Sequence, residues 1–247
     1  MPRAALALII AILYLVLTLP VMGILRLIGR KHPETMERAT KAMISWIFRV
    51  LLAACGTKVT FLGEENVPKD TPVLYIGNHR SMFDVVITYM RAPGVTAYVA
   101  KKELEKVPIF GWWAQNMHAL FFNRDDMKEA MKMIKDGIDL LKGGTSVFVF
   151  PEGTRNKNPE ELPLLEFHEG SFRMASRSGC PIIPVSICNT SNVWEGHFPW
   201  IHSAKVVVEY GAPIYMKELS REQQKHVGAY VREQMQETIQ RNREKYY

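Results

Sequence analysis

The sequence predicts an α/β fold: a mostly parallel central sheet flanked by helices, with an N-terminal two-helix membrane anchor. Three observations carry that expectation. Short runs of Val, Ile and Phe are apolar at successive positions, the pattern of strands buried on both faces. These runs alternate with longer segments of helical spacing, which implies a sheet covered by helices. Residues 4–25 contain no charged side chain.

The elements follow in order. As one helix, residues 4–25 would be about 33 Å long at 1.5 Å per residue, enough to cross the hydrocarbon core of a bilayer. Arg26, Arg30 and Lys31 follow it, against Arg3 in front, an asymmetry that places the following domain on the cytoplasmic face. Pro20 interrupts the segment, and a second helix is expected over 34–54, closed by Gly56. Met43, Ile44, Ile47, Phe48, Leu51 and Leu52 line one side of it, while Glu37, Arg38, Lys41 and Arg49 face elsewhere. The pair fits a hairpin dipping into one leaflet slightly better than a true span; packing of the second helix on the soluble domain is the alternative. The chain therefore divides into a 1–56 anchor and a 57–247 domain.

In that domain strands are expected at 58–62, 73–76, 95–99, 119–122, 146–150, 182–187 and 205–209, bounded by polar and turn residues. Helices are expected near 82–90, 109–116, 126–142, 171–178 and 220–242, the last as a solvated amphipathic surface helix. In sheets of this kind, sites gather beyond the strand ends.

The formal charge of +6 and pI near 9.2 suit an anionic partner, either membrane lipids or a phosphorylated ligand. Nucleic acid is the competing reading and ranks well below lipid, since the chain has no basic run of five or more residues and no zinc or RNA-binding signature, so no nucleic-acid partner is expected. Cys55, Cys180 and Cys188 form no Cys-x-x-Cys pair and read as small buried hydrophobes in a reducing compartment, with no metal site and no disulfide framework.

Two polar strings sit at expected strand ends: Asn78-His79-Arg80-Ser81-Met82-Phe83-Asp84 and Phe150-Pro151-Glu152-Gly153-Thr154-Arg155. Residues five apart on a helix diverge by about 140°, so His79 meets Asp84 only if His79 lies in the loop and the helix starts near Ser81. Asp84 then has two readings. It caps the helix that Ser81 begins, or it holds one imidazole nitrogen and leaves the other as a general base. In the second string Pro151 ends the strand, Gly153 permits a tight turn whose amides can cradle an anion, and Arg155 adds forked donors. An internal Glu152–Arg155 salt bridge is the plainer reading. Lys101 and Arg124 also follow expected strands; a solvated surface charge is the plainer reading of each.

These strings, with Phe121-Phe122-Asn123-Arg124 and Pro181-Ile182-Ile183-Pro184-Val185, resemble in order and spacing the four motifs of the glycerolipid acyltransferases. Within that family the resemblance is to the bacterial type of 1-acylglycerol-3-phosphate (lysophosphatidate) O-acyltransferase, and it covers residues 58–185 plus the anchor. The resemblance implies an enzyme of phospholipid biosynthesis at the cell inner membrane or plasma membrane. It would transfer a fatty acyl group from acyl-CoA or acyl carrier protein to the sn-2 hydroxyl of lysophosphatidate, giving phosphatidate. The donor is a co-substrate and no cofactor is implied. His79 would deprotonate the hydroxyl, oriented by Asp84. Lys101, Arg124 and Arg155 would hold the phosphate, and Glu152, Gly153 and Thr154 would shape the acceptor site. The strand at 181–185 would line the acyl site or be core.

The chain departs from the family pattern at four places: His118 where glycine is usual, His168 for lysine, Asn156 for serine and Met82 for an aromatic. Another lysophospholipid or glycerol-3-phosphate is the alternative acceptor. A serine esterase using Ser81 would need a Gly-x-Ser-x-Gly elbow, which the chain lacks. A non-enzymatic binder of anionic lipid is the remaining rival.

Overall fold

The computed structural model describes residues 2–247. Helices α1 (Pro2–Leu17) and α2 (Leu19–Gly29) meet at a 49° bend. Pro20 has no N–H to donate into the preceding turn, and the Thr18 hydroxyl donates to the Tyr14 carbonyl at 2.6 Å, both of which interrupt the helical ladder. The interruption expected at Pro20 thus divides the 4–25 segment between two helices. No single helix among the described residues is long and apolar enough to cross a membrane, and the bent pair meets that test only by length and composition.

Helix α3 (Pro33–Cys55) ends at Gly56 in the left-handed conformation, φ +71°, where its N–H reaches Ala53 and Leu52 carbonyls. Ile44, Leu52 and Cys55 of α3 are buried in one core with the sheet residues Tyr75, Tyr98 and Phe148. The helix assigned to the anchor by its pattern thus covers the sheet, and packing does not break at residue 56. The outer side of α1 carries exposed Leu8, Ile9, Ile12, Leu13 and Leu17, and Trp46 of α3 is exposed beside them.

All seven expected strands form: β1 (Lys58–Leu62), β2 (Leu74–Gly77), β3 (Thr96–Lys101), β4 (Leu120–Phe122), β5 (Ser146–Val149), β6 (Ile182–Cys188) and β7 (Lys205–Tyr210). They make one sheet in the order β1-β7-β6-β2-β5-β3-β4. Every adjacent pair is parallel except β6–β7. Strands β2 to β6 therefore point the same way and end at one edge. Lys101 ends β3, and His79, Arg124 and Glu152 follow the ends of β2, β4 and β5. At roughly 4.8 Å per strand, β3 and β4 lie about 10 and 14 Å from β2 along that edge.

The covering helices are α4 (Phe83–Arg91), α5 (Phe110–Asn116), α6 (Met127–Lys142), α7 (Arg173–Ser178), α8 (Arg221–Lys225) and α9 (Val227–Tyr246). Ile87 of α4 and Trp113 of α5 join α3 on one side of the sheet. Met133 of α6 and Met174 of α7 lie on the other, with Val231, Met235 and Ile239 of α9. The C-terminal helix is thus not merely solvated. Its apolar residues recur every fourth position, a buried stripe that the many charges between them mask in the sequence. The short α8 before it starts at a capping box of Ser220 and Gln223, and the two helices are separated at His226, whose backbone is not helical (φ −123°, ψ 42°). Ile182, Ile183 and Val185 of β6 are fully buried, so the motif strand at 181–185 is core.

Lys41 links α3 to α4. Its ammonium donates to the Tyr89 carbonyl and sits 4.0 Å from the Tyr89 ring centre. Burial lowers its pKa to about 7, with Arg49 adding to the effect. Between that value and the ordinary 10.5 the unfolded chain binds the extra proton, so Lys41 makes stability rise with pH across that window. The Lys41→Met variant is expected to lose this rise. Urea unfolding of both proteins at about pH 6.5 and about pH 9.5 should show wild type gaining on the variant at the higher pH.

Candidate active site

His79 leaves the sheet at a defined point. The Asn78 side chain, buried, donates to the Ile187 carbonyl and accepts from the Ile187 N–H, both at 2.8 Å, which extends the β2–β6 pairing by one residue. The His79 N–H donates to Glu152 Oε1 at 2.7 Å, and its carbonyl accepts from the Asn156 N–H at 2.7 Å. Its ring stacks on Phe150, centres 4.3 Å apart and planes 23° from parallel. The backbone and the ring plane are thus both set before any partner of the nitrogens is considered.

Nδ1 of His79 lies 2.8 Å from Asp84 Oδ2. The same oxygen accepts from the Arg80 N–H at 2.7 Å and the Ser81 N–H at 2.8 Å. A carboxylate only accepts, so the neutral imidazole carries its proton on Nδ1 and presents Nε2 as an acceptor. The two readings of Asp84 are one arrangement: it ties the amides ahead of α4 and orients His79 at once. Helix α4 begins at Phe83 rather than at Ser81, whose hydroxyl accepts from the Phe83 N–H at 3.0 Å.

A column of rings stands under His79. Tyr75, Phe148 and Tyr98 are register partners across β2, β5 and β3. Their rings stack at 5.6 and 4.8 Å, Phe148 meets Phe150 at 5.0 Å, and Phe150 carries the imidazole. Gly77 makes room for this column: a Cβ there would lie 2.7 Å from the Phe148 ring and 3.2 Å from Phe150.

The second string is placed differently from its plainer reading. Glu152 is buried and accepts through both oxygens, from His79 N–H and, at 3.1 Å, from Leu165 N–H. Burial raises its pKa, against the pull of those two amides. It makes no salt bridge with Arg155; it joins the two motif loops. Gly153 adopts φ +67°, where a Cβ would come within 3.0 Å of His168 Nε2, and Thr154 is exposed. Asn156, the departure from serine, is buried; it donates to the Pro163 carbonyl and accepts from the Asn158 N–H, shaping the following turn.

The three cations do not form one cluster of bonds. Lys101 pairs with Glu103 at 3.0 Å. The Glu103 carboxyl is held below its ordinary range by its own backbone N–H first, then by Lys101, with Arg124 adding its charge; Lys101 and Arg124 thus share one corner. Arg155 instead donates to Glu195 Oε1 at 2.9 Å. Glu195 was invisible in the sequence, standing in an aperiodic stretch with no motif, yet it also accepts from the Ser81 hydroxyl at 2.5 Å and the Met82 N–H at 2.9 Å. His118 occupies φ +55°, a conformation that favours glycine, and its Nε2 reaches Glu37 of α3 at 2.8 Å. That contact answers why a side chain stands where the family pattern has none.

The central strand of the sheet thus delivers a histidine held by a buried aspartate, beside a glycine turn and an arginine. The Ser81 hydroxyl is committed to Glu195 rather than to His79. Residues 58–188 match the Acyltransferase family model, and the chain belongs to that family and is an acyltransferase. It is 30% identical over 219 residues to a 1-acyl-sn-glycerol-3-phosphate acyltransferase of Saccharomyces cerevisiae, covering 86% of this chain and 68% of the relative. It is 29% identical over 236 residues to the Escherichia coli protein of the same name, covering 94% and 91%. The chain spans less than half the length of its chloroplast relatives. Its fold is that of the Thermotoga maritima 1-acyl-sn-glycerophosphate (LPA) acyltransferase PlsC, with a TM-score of 0.72, 23% identity, and coverage of 99% of this chain and 98% of that one.

The ring column yields a test. Gly77→Ala is expected to cost about 1–3 kcal/mol of stability through overpacking and to lower the turnover of acyl transfer by tilting the His79 ring. Denaturant unfolding and kcat at saturating substrate would read the two effects separately.

Proposed function

We propose that the chain transfers a fatty acyl group from acyl-CoA or acyl carrier protein to the sn-2 hydroxyl of 1-acylglycerol-3-phosphate, giving phosphatidate. The observation that carries this is the Asp84–His79 contact at 2.8 Å, which leaves Nε2 free to accept a proton. The relatives named above support the choice of acceptor. In the reaction Nε2 takes the hydroxyl proton as the oxygen attacks the thioester carbonyl. The C–S bond of the tetrahedral intermediate then breaks, and the imidazolium returns the proton to the departing thiolate. No acyl-enzyme forms.

Arg155, Lys101 and Arg124 supply the charge for the acceptor phosphate, Arg155 with a fork that matches it. The backbone turn at Gly153 and Thr154 brings the arginine beside the histidine loop. The apolar outer face of α1 and α2, with Arg26, Arg30 and Lys31 after it, supports docking of one leaflet of a membrane as a monotopic anchor. That keeps the 1–56 segment as a membrane-binding unit and the domain on the cytoplasmic face, although α3 also packs on the sheet.

Two measurements test this. The purified His79→Ala variant, folded by circular dichroism, is expected to lose about 10³-fold or more in kcat/KM for thiol release from acyl-CoA with lysophosphatidate; retention of the wild-type rate would exclude His79 as the base. Replacing lysophosphatidate by a monoacylglycerol, which lacks the phosphate, is expected to lower kcat/KM by about 10²-fold. Equal rates on both acceptors would show that these cations hold no phosphate.

A further inference from the structure

Three carboxylates accept hydrogen bonds from the 79–82 loop, and two of them are closed to a ligand; a fourth, buried Glu161, faces the Arg80 side chain at 3.8 Å. Asp84 is fully buried against three nitrogen donors. Glu152 is buried with an amide on each oxygen. Glu195 is the third and differs in kind. It is partly exposed and its Oε1 is shared between the Met82 N–H and the guanidinium of Arg155, each at 2.9 Å. The Arg155 side chain is 44% exposed, and Glu195 is its one ion-pair partner among the described residues.

Glu195 is presented by a hydrogen-bonded turn. Val193, fully buried, anchors it, and the His202 N–H closes the loop onto the Val193 carbonyl at 3.0 Å. Inside it, His197 N–H donates to Trp194 and Trp200 N–H to His197, at 2.9 and 2.8 Å. A Cβ on Gly196 would come 3.2 Å from the Ser191 carbonyl, so the chain turns closely there. The carboxylate is therefore delivered by the fold and is not a chance meeting of two long side chains.

We propose that Glu195 is the resting counter-ion of Arg155. It holds the guanidinium in the place where the acceptor phosphate is to bind, and it pins the turn at 81–82 through Ser81 and Met82. A phosphate arriving at Arg155 meets the carboxylate already there. The anion must share the fork or displace Glu195, so the negative charge of Glu195 weakens phosphate binding while its hydrogen bonds keep the site assembled. Glu195 is thus a positioning residue that also sets the affinity of the site for the acceptor headgroup. The proposal rests on the reading above only in taking Arg155 as the group that receives a phosphate.

The test is calorimetric titration of the full chain, in detergent, with glycerol 3-phosphate. Glu195→Gln keeps an oxygen to accept from the Met82 N–H, turns an amide N–H toward the Ser81 hydroxyl, which then accepts, and removes the charge. It is expected to tighten binding by about three- to tenfold at low ionic strength, with the gain shrinking as salt is raised. The KM for lysophosphatidate is expected to fall by a similar factor. In the Arg155→Ala background, Glu195→Gln is expected to give no gain, because the effect passes through the guanidinium. Unchanged or weaker binding by a folded Glu195→Gln variant overturns the proposal. So does a gain that survives Arg155→Ala, or a complete absence of binding by both wild type and Glu195→Gln. Glu195→Ala, which removes the charge without adding an amide, is the second variant, expected to shift affinity in the same direction. If neither variant folds, Glu195 is a structural tie and the proposal falls. A wild-type chain that shows this binding pattern yet acylates no lysophosphatidate would overturn the acceptor assigned above and leave the Glu195–Arg155 pairing standing.

Discussion

One oxygen of one buried carboxylate organises the site. Asp84 Oδ2 accepts from the Arg80 amide, the Ser81 amide and His79 Nδ1, so the turn into α4 and the imidazole are set by the same atom. A buried carboxylate is costly unless hydrogen-bonded, and here every donor but one is main chain. The arrangement therefore ties the backbone of the turn and the imidazole to one acceptor. Losing the carboxylate would leave the Arg80 and Ser81 amides and His79 Nδ1 without this acceptor, while Glu152, Asn156 and Phe150 still hold the His79 backbone and ring plane.

Side chains bonded to main chain recur throughout the site. Asn78 prolongs the sheet by one residue, Glu152 joins the His79 amide to the Leu165 amide, and Glu195 holds the Ser81–Met82 turn from outside. Backbone groups cannot rotate away as side chains do, so each such bond converts one polar residue into a fixed distance between two loops. The aromatic column from Tyr98 to Phe150 completes the support from beneath. Gly77 is its price, since any larger residue there meets Phe148.

Much of this was legible in order. The seven strands were visible because buried parallel strands are apolar at every position, and the boundaries moved by only one or two residues. His79 and Asp84 were legible because five-residue spacing is incompatible with a helix and compatible with a loop entering one. Pro20 and Thr18 split the first segment where the proline had suggested a break. The corrections have local causes. Helix α9 hides a buried stripe behind its charges. The Glu152–Arg155 pair gave way to two different partnerships, because each side chain found a donor or acceptor contributed by a distant loop.

Composition and spacing by themselves determined the α/β class, the strand ends where polar residues cluster, and the condition under which His79 could meet Asp84. All of these follow from periodicity or from short-range geometry along the chain. Only the tertiary structure decided which cation meets which anion, that α3 covers the sheet, and that Glu195 stands beside Arg155 across a separation of forty residues. Such contacts depend on strand order and on the paths of connecting loops, and neither leaves a periodic trace in the sequence. The chemistry was written locally; its electrostatic setting was assembled by the topology.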